Sequence, residues 1–152
     1  MGCEVSAWTE FTLAGVVNAL PTDLAALYAK WIDANPGKSN RLSELVDEQV
    51  AAFRAAVATQ PETVLDAALN TVPTTGYRHA LTLAIFSLGM EMGVQFAPEV
   101  YSLVNRADIW LRMVQSGTVH PLAFDGSLGT PSFESTINRR LRRWLIHARW
   151  LP

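Results

Sequence analysis

Cysteine is nearly absent from these 152 residues: Cys3 stands alone, so no internal disulfide can staple the fold and no cysteine cluster can hold zinc. Long apolar runs are missing too. The longest nearly uncharged ones, AGVVNALPT before Asp23 and ALTLAIFSLGM before Glu91, fall well short of the roughly 18 residues that a membrane span requires. The opening MGCEVSAWTE has neither the basic segment nor the apolar core of an export signal, and a lone thiol fits a reducing compartment. Histidines number three, His79, His120 and His147, and none belongs to an HExxH, an ExxH pair or a Cys/His set with metal spacing. The glycines form no phosphate-binding loop, GSLGT at 126–130 reads as a turn, and Ser127 lacks the context of a nucleophile elbow. His79 falls near a helix start beside Arg78, where a surface or capping role is expected. Glu91 is the most interesting acid, because it interrupts the most apolar helix near its end. The expectation is a protein that is not an enzyme and carries neither metal nor cofactor.

Negative charge is missing from one end only. All 14 acids precede Ile137, together with seven of the 12 bases, and the other five bases, all arginine, follow it. The body is therefore −7 and the tail +5, an asymmetry typical of interaction tails.

What is present in the body is helical periodicity. In PTDLAALYAKWIDANPG, Leu24, Leu27, Tyr28, Trp31 and Ile32 share one face, with Thr22 as the expected N-cap and Asn35-Pro36-Gly37 as the stop. RLSELVDEQVAAFRAAVATQ sets Leu42, Leu45, Val46, Val50, Phe53 and Val57 against a polar face with Glu44, Asp47, Glu48 and Arg54. Pro61 suits the first turn of a shorter helix, PETVLDAALN. Thr74 or Thr75 can cap TGYRHALTLAIFSLGMEMG, apolar around almost its whole circumference and hence central. Pro98 starts PEVYSLVNRADIWLRMVQSG, with Val100, Val104, Ala107, Leu111 and Val114 as its stripe and Gly117 as a left-handed cap. SAWTEFTLAGVVNALP reads as one more short helix. TVHPLAFDGSLGTPSF is turn-rich, Asp125-Gly126 is a hairpin signal, and Thr130-Pro131 can open a helix running into the arginines. The predicted fold is all-α, a compact bundle of five to six helices at 1–136, then a basic, tryptophan-containing arm at 137–152.

Three elements in sequence carry a resemblance: RLSELVDEQVAAFRAAV, then a Val72-Pro73 entry into an apolar helix, then EVYSLVNRADIWLRMVQSGTVHPL with Tyr101, Ala107, Trp110-Leu111, Gly117 and Leu122. Residues 41–122 thereby resemble the head-tail connector family, the adaptor or head-completion neck proteins of tailed bacteriophages. The insertion-like DLAALYAKWIDANPGKSN and the arginine-rich extension depart from that pattern. The resemblance implies a structural virion protein, assembled from the host cytoplasm into a ring of about twelve copies whose heterologous interface closes on itself. Portal protein, a tail-side stopper or terminator protein and further copies of the chain would be its partners. DNA would pass through the lumen without sequence-specific binding, and an acidic lining would repel its phosphates.

The ending NRRLRRWLIHARWLP aligns Leu141, Trp144, Leu145 and Ala148 in helical projection, framed by arginines. As a docking arm its candidate partner-binding residues are Arg139, Arg140, Arg142, Arg143, Trp144, Ile146, Arg149 and Trp150, since Trp and Arg are favoured anchors. Packing of this segment on its own domain, with a solvated basic face, is the plainer reading. MGCEVS also matches a myristoylation pattern, with Gly2, Ser6 and a palmitoylatable Cys3. With the basic tail, that would make a peripheral membrane protein, the alternative to the neck reading, in which no membrane is involved. A nucleic-acid-binding regulator ranks last, because the body helices supply few basic residues for a groove.

Overall fold

A computed structural model describes residues 7–61 and 63–122. Five α-helices account for most of them: α1 (Leu13–Ala19), α2 (Thr22–Ala34), α3 (Arg41–Ala58), α4 (Tyr77–Glu91) and α5 (Pro98–Gln115). The helical class expected from periodicity is what is observed. Two short strands, β1 (Trp8–Glu10) and β2 (Thr71–Pro73), add a small antiparallel sheet that was not expected. Its register pairs Trp8 with Pro73, Thr9 with Val72 and Glu10 with Thr71. The predicted helix across SAWTEFTLAGVVNALP is thus two elements. Its first half, with Trp8, Thr9 and Phe11, is rich in the aromatic and β-branched residues that suit a strand, and Thr12 begins α1 by accepting a 3.2 Å hydrogen bond from the Gly15 amide.

The larger correction concerns PETVLDAALN. No helix forms there; the chain after α3 is a loop that doubles back along α3 to reach β2. Two cap assignments also move. Thr22 is the first helical residue and Pro21 occupies the cap. A single 3-10 turn, Thr74–Gly76, precedes α4, and no side chain caps that helix. Gly117 behaves as predicted: its φ of +75° ends the chain's excursion beyond α5, in the left-handed region that glycine enters without a Cβ penalty.

The core explains why α4 is apolar on nearly all sides. It packs against α3, α5 and α1, burying Ala80, Leu81, Ala84, Ile85 and Leu88. From α3 come Leu42, Leu45, Phe53 and Val57, and from α5 Val100, Ala107 and Val114. At Gly76 the packing is close enough that a Cβ would stand 2.7 Å from the Trp110 ring and 3.0 Å from Phe53. At Gly89 a Cβ would overlap the ring of Phe96, which covers the end of α4. Helix α2 is peripheral: Leu24 alone is buried, and Leu27, Tyr28, Trp31 and Ile32 are half-buried. The turn-rich segment after Leu122, its Asp125-Gly126 hairpin, the helix from Thr130-Pro131 and the arm at 137–152 lie outside the described residues.

Candidate functional site

Three arrangements of polar side chains stand out on this frame. The first is an ion cluster at the start of α3. Arg41 holds Glu91, the last residue of α4, in a fork: Nε lies 2.8 and 2.9 Å from the two carboxylate oxygens and Nη2 lies 2.7 Å from Oε1. Its Nη1 donates to Glu44 at 3.1 Å and Glu48 at 2.8 Å on its own helix. The fork keeps the Glu91 carboxyl below the usual carboxylate range. Glu91 therefore ties the end of α4 to the beginning of α3, a structural task, and nothing places it as a proton donor. Arg41 and the nearby Lys38 against three carboxylates leave this corner one charge negative, and Asp47 adds to it on the exposed face of α3.

The second is a clamp that sequence reading missed. In the helical pattern Arg54 falls on the polar face of α3 with Glu44, Asp47 and Glu48. Its guanidinium instead reaches across to the loop at 63–70, with Nη2 donating to the Asp66 carbonyl at 2.7 Å and Nη1 to the Ala68 carbonyl at 2.8 Å. Nη1 also donates to Thr71 Oγ1 at 3.0 Å, and that buried hydroxyl donates onward to the Ala68 carbonyl. The cation lies 5.4 Å from the centroid of the Trp8 ring. A loop fixed in this way still shows its aliphatic side chains to solvent, with Val64 82% and Leu69 79% exposed. A ten-residue window rich in alanine and leucine looks helical; the one local sign against it was the Asn70-Thr71-Val72-Pro73 stretch that ends in β2.

The third is His79. A surface or capping role was expected, and the structure corrects it: the imidazole is half-buried, 5.4 Å from the Trp110 ring, which also stacks on Phe53. Burial, and secondarily the neighbouring Arg78, push its pKa down to about 4. The ring is neutral at pH 7. Because the unfolded chain binds a proton near pH 6.5 and the folded chain resists it until about pH 4, the contribution of His79 to stability is complete above pH 6.5 and is lost as pH falls toward 4. Stability should fall through that window with a slope approaching about 1.4 kcal/mol per pH unit at its steepest. Urea midpoints at half-unit steps from pH 7.5 to 4.5 measure it. His79→Phe, which keeps a ring against Trp110, should flatten the curve until the carboxylates begin to protonate; superimposable curves would show that the imidazole does not set the dependence.

No group of three or more potential metal ligands occurs among the described residues. His120 is exposed. Gly2, Cys3, Ser127 and His147 lie outside the described residues, as do all the candidate partner-binding residues of the arm, Arg139, Arg140, Arg142, Arg143, Trp144, Ile146, Arg149 and Trp150. No helix among the described residues is long and apolar enough to cross a membrane. Comparison of the chain with known protein families, with curated proteins and with solved structures gives no match.

Proposed function

We propose that this chain is a structural subunit of a tailed-bacteriophage neck, one of a ring of copies between portal and tail through which DNA passes. The observation that carries the reading is the order of elements within residues 41–122. Amphipathic α3 is followed by an entry at Val72-Pro73, both buried in β2, then by apolar α4, and then by α5, in which Ala107 faces the core and Gly117 turns the exit. These are among the positions on which the resemblance to head-tail connectors rests; Val72, Pro73 and Ala107 are buried, and Tyr101, another of them, is exposed. The exposed carboxylates of α3 suit a surface past which DNA slides, since like charge prevents adhesion to phosphates. In this reading the arm at 137–152 reaches the portal or a neighbouring subunit, catalysis is not involved, and the protein resides in the virion after assembly in the host cytoplasm.

Virion assembly tests the proposal. Deleting the gene from the phage or prophage that encodes it should yield filled heads without joined tails, which lose their DNA, and expression in trans should restore joined particles. Joined, DNA-retaining particles from the deletion strain would remove the neck assignment.

A further inference from the structure

The clamped loop and α1 together present an aliphatic surface that nothing in the described fold covers. The Phe11 amide donates to the Asn70 carbonyl at 2.8 Å and continues the β1/β2 register by one pair. One further step of that register would set Leu69 opposite Thr12, where α1 begins. On α1, Leu13 (41% exposed) and Val17 (46%) point outward from successive turns. Val64, Leu65 and Leu69 stand out from the loop. A mobile loop could expose such residues at little cost, but this one is pinned by Arg54 at three carbonyls. Apolar side chains held in place and facing water make this region a candidate binding surface. Charge narrows the choice. Within residues 7–20 and 63–70 the charged side chains are Glu10 and Asp66, both acidic, and the cation that reaches this loop, Arg54, is already engaged by the Asp66 and Ala68 carbonyls, so two acids stand against one cation around the apolar side chains.

We propose that in the free subunit this patch is covered by residues 137–152 of the same chain. The composition of that segment is the chemical complement: Leu141, Trp144, Leu145 and Ala148 recur at helical spacing in the sequence, among five arginines and no acid. It is also within reach. The described chain ends beside Gln60 and Thr75, with Gln60 Nε2 donating to the Val119 carbonyl at 3.0 Å and the Thr75 hydroxyl donating to the Pro121 carbonyl. Thr75 is six residues from Leu69, roughly 20 Å at most along an extended chain. Residues 123–136 can span about 45 Å. A tether of that length gives the arm a local concentration on the order of millimolar, so at micromolar protein a subunit's own arm outcompetes that of a second copy. The inference concerns the free subunit and holds whether or not the ring reading does; in a ring, the same stripe would be released to its partner.

Crosslinking of the full-length chain tests it. In a Cys3→Ser background, Leu69→Cys with Leu145→Cys should form an intrachain disulfide under mild oxidation, leaving a monomer in which peptide mapping joins 69 to 145. Ala29→Cys with Leu145→Cys, on exposed α2, should stay largely reduced. A disulfide-linked dimer would identify the second copy as the occupant and overturn the proposal, as would equal crosslinking of the two pairs. In an independent measurement without cysteines, Val17→Arg with Leu69→Arg should speed tryptic cleavage at the arginines of 139–143 several-fold. Unchanged cleavage in a protein whose circular dichroism matches wild type would also overturn it.

Discussion

Phe53→Ala is expected to destabilise the protein by about 3–5 kcal/mol, the range for deleting a fully buried aromatic ring. Phe53 has no exposure, and its ring stacks on Trp110 at a centroid distance of 5.5 Å and an interplanar angle of 21°. It also stands against Gly76, where the 3-10 turn hands over to α4. One side chain from α3 thus touches the start of α4 and the middle of α5, so its loss opens space where three elements meet. Inward collapse has little to draw on: Trp110 also meets the His79 ring, 5.4 Å away, and at Gly76 there is no side chain to move. Domains of this size have about 5–15 kcal/mol in total, so the variant should be partly unfolded at physiological temperature. Urea denaturation measures the loss, with Ala52→Ser on the exposed face of α3 as the comparison, expected within about 0.5 kcal/mol of wild type. A loss under about 1 kcal/mol for Phe53→Ala would mean that α5 is not anchored through this ring.

The same residues show why part of the fold was legible and part was not. Helices α3, α4 and α5 each bury a face repeated over four or five turns, and that repetition is local information. Val100, Ala107 and Val114 are buried as their spacing required. Val104 and Leu111 are half-buried, because each lies one turn on from a buried position and at the flank of the line through Val100, Ala107 and Val114. The loop at 63–70 has the same kind of spacing in Val64, Leu65, Ala68 and Leu69, yet its helix did not form. A ten-residue helix is marginal by itself. What outweighed it came from elsewhere in the chain: Arg54 satisfies the carbonyls that a helix would have used, and β1 pairs with β2 more than 60 residues away. No window around Thr71 contains Trp8.

Electrostatic roles divide in the same way. Glu91 stood out because it interrupts an apolar run, but its meaning depends on Arg41, fifty residues earlier. His79 looked like an exposed neighbour of Arg78 until Trp110 covered it. In each case the residue type could be read locally, and the partner that decides its task could not.

Removing the Arg54 guanidinium should have the second large effect. Arg54→Ala is expected to cost about 2–3 kcal/mol, because charge-assisted hydrogen bonds are lost, the Asp66 carbonyl and the buried Thr71 hydroxyl lose the donor that Arg54 supplies, and the Ala68 carbonyl keeps only the Thr71 hydroxyl. Arg54→Lys separates charge from geometry. A lysine ammonium can replace the cation over Trp8, but its three donors leave a single nitrogen. It cannot reach the Asp66 carbonyl and the Ala68–Thr71 pair as the two guanidinium nitrogens do. If the fork is what holds the loop, lysine should recover little of the lost stability, and amide exchange at 63–70 should rise in both variants. The α4 and α5 amides should then change only by the global loss. The strand pair should loosen with the loop, since Thr71 is common to both. If lysine instead restored the urea midpoint, the attraction of the cation to Trp8 would be the dominant contribution, and Trp8→Leu should then reproduce most of the Arg54→Ala loss. Full protection of the loop amides in Arg54→Ala would show that backbone pairing alone positions the loop.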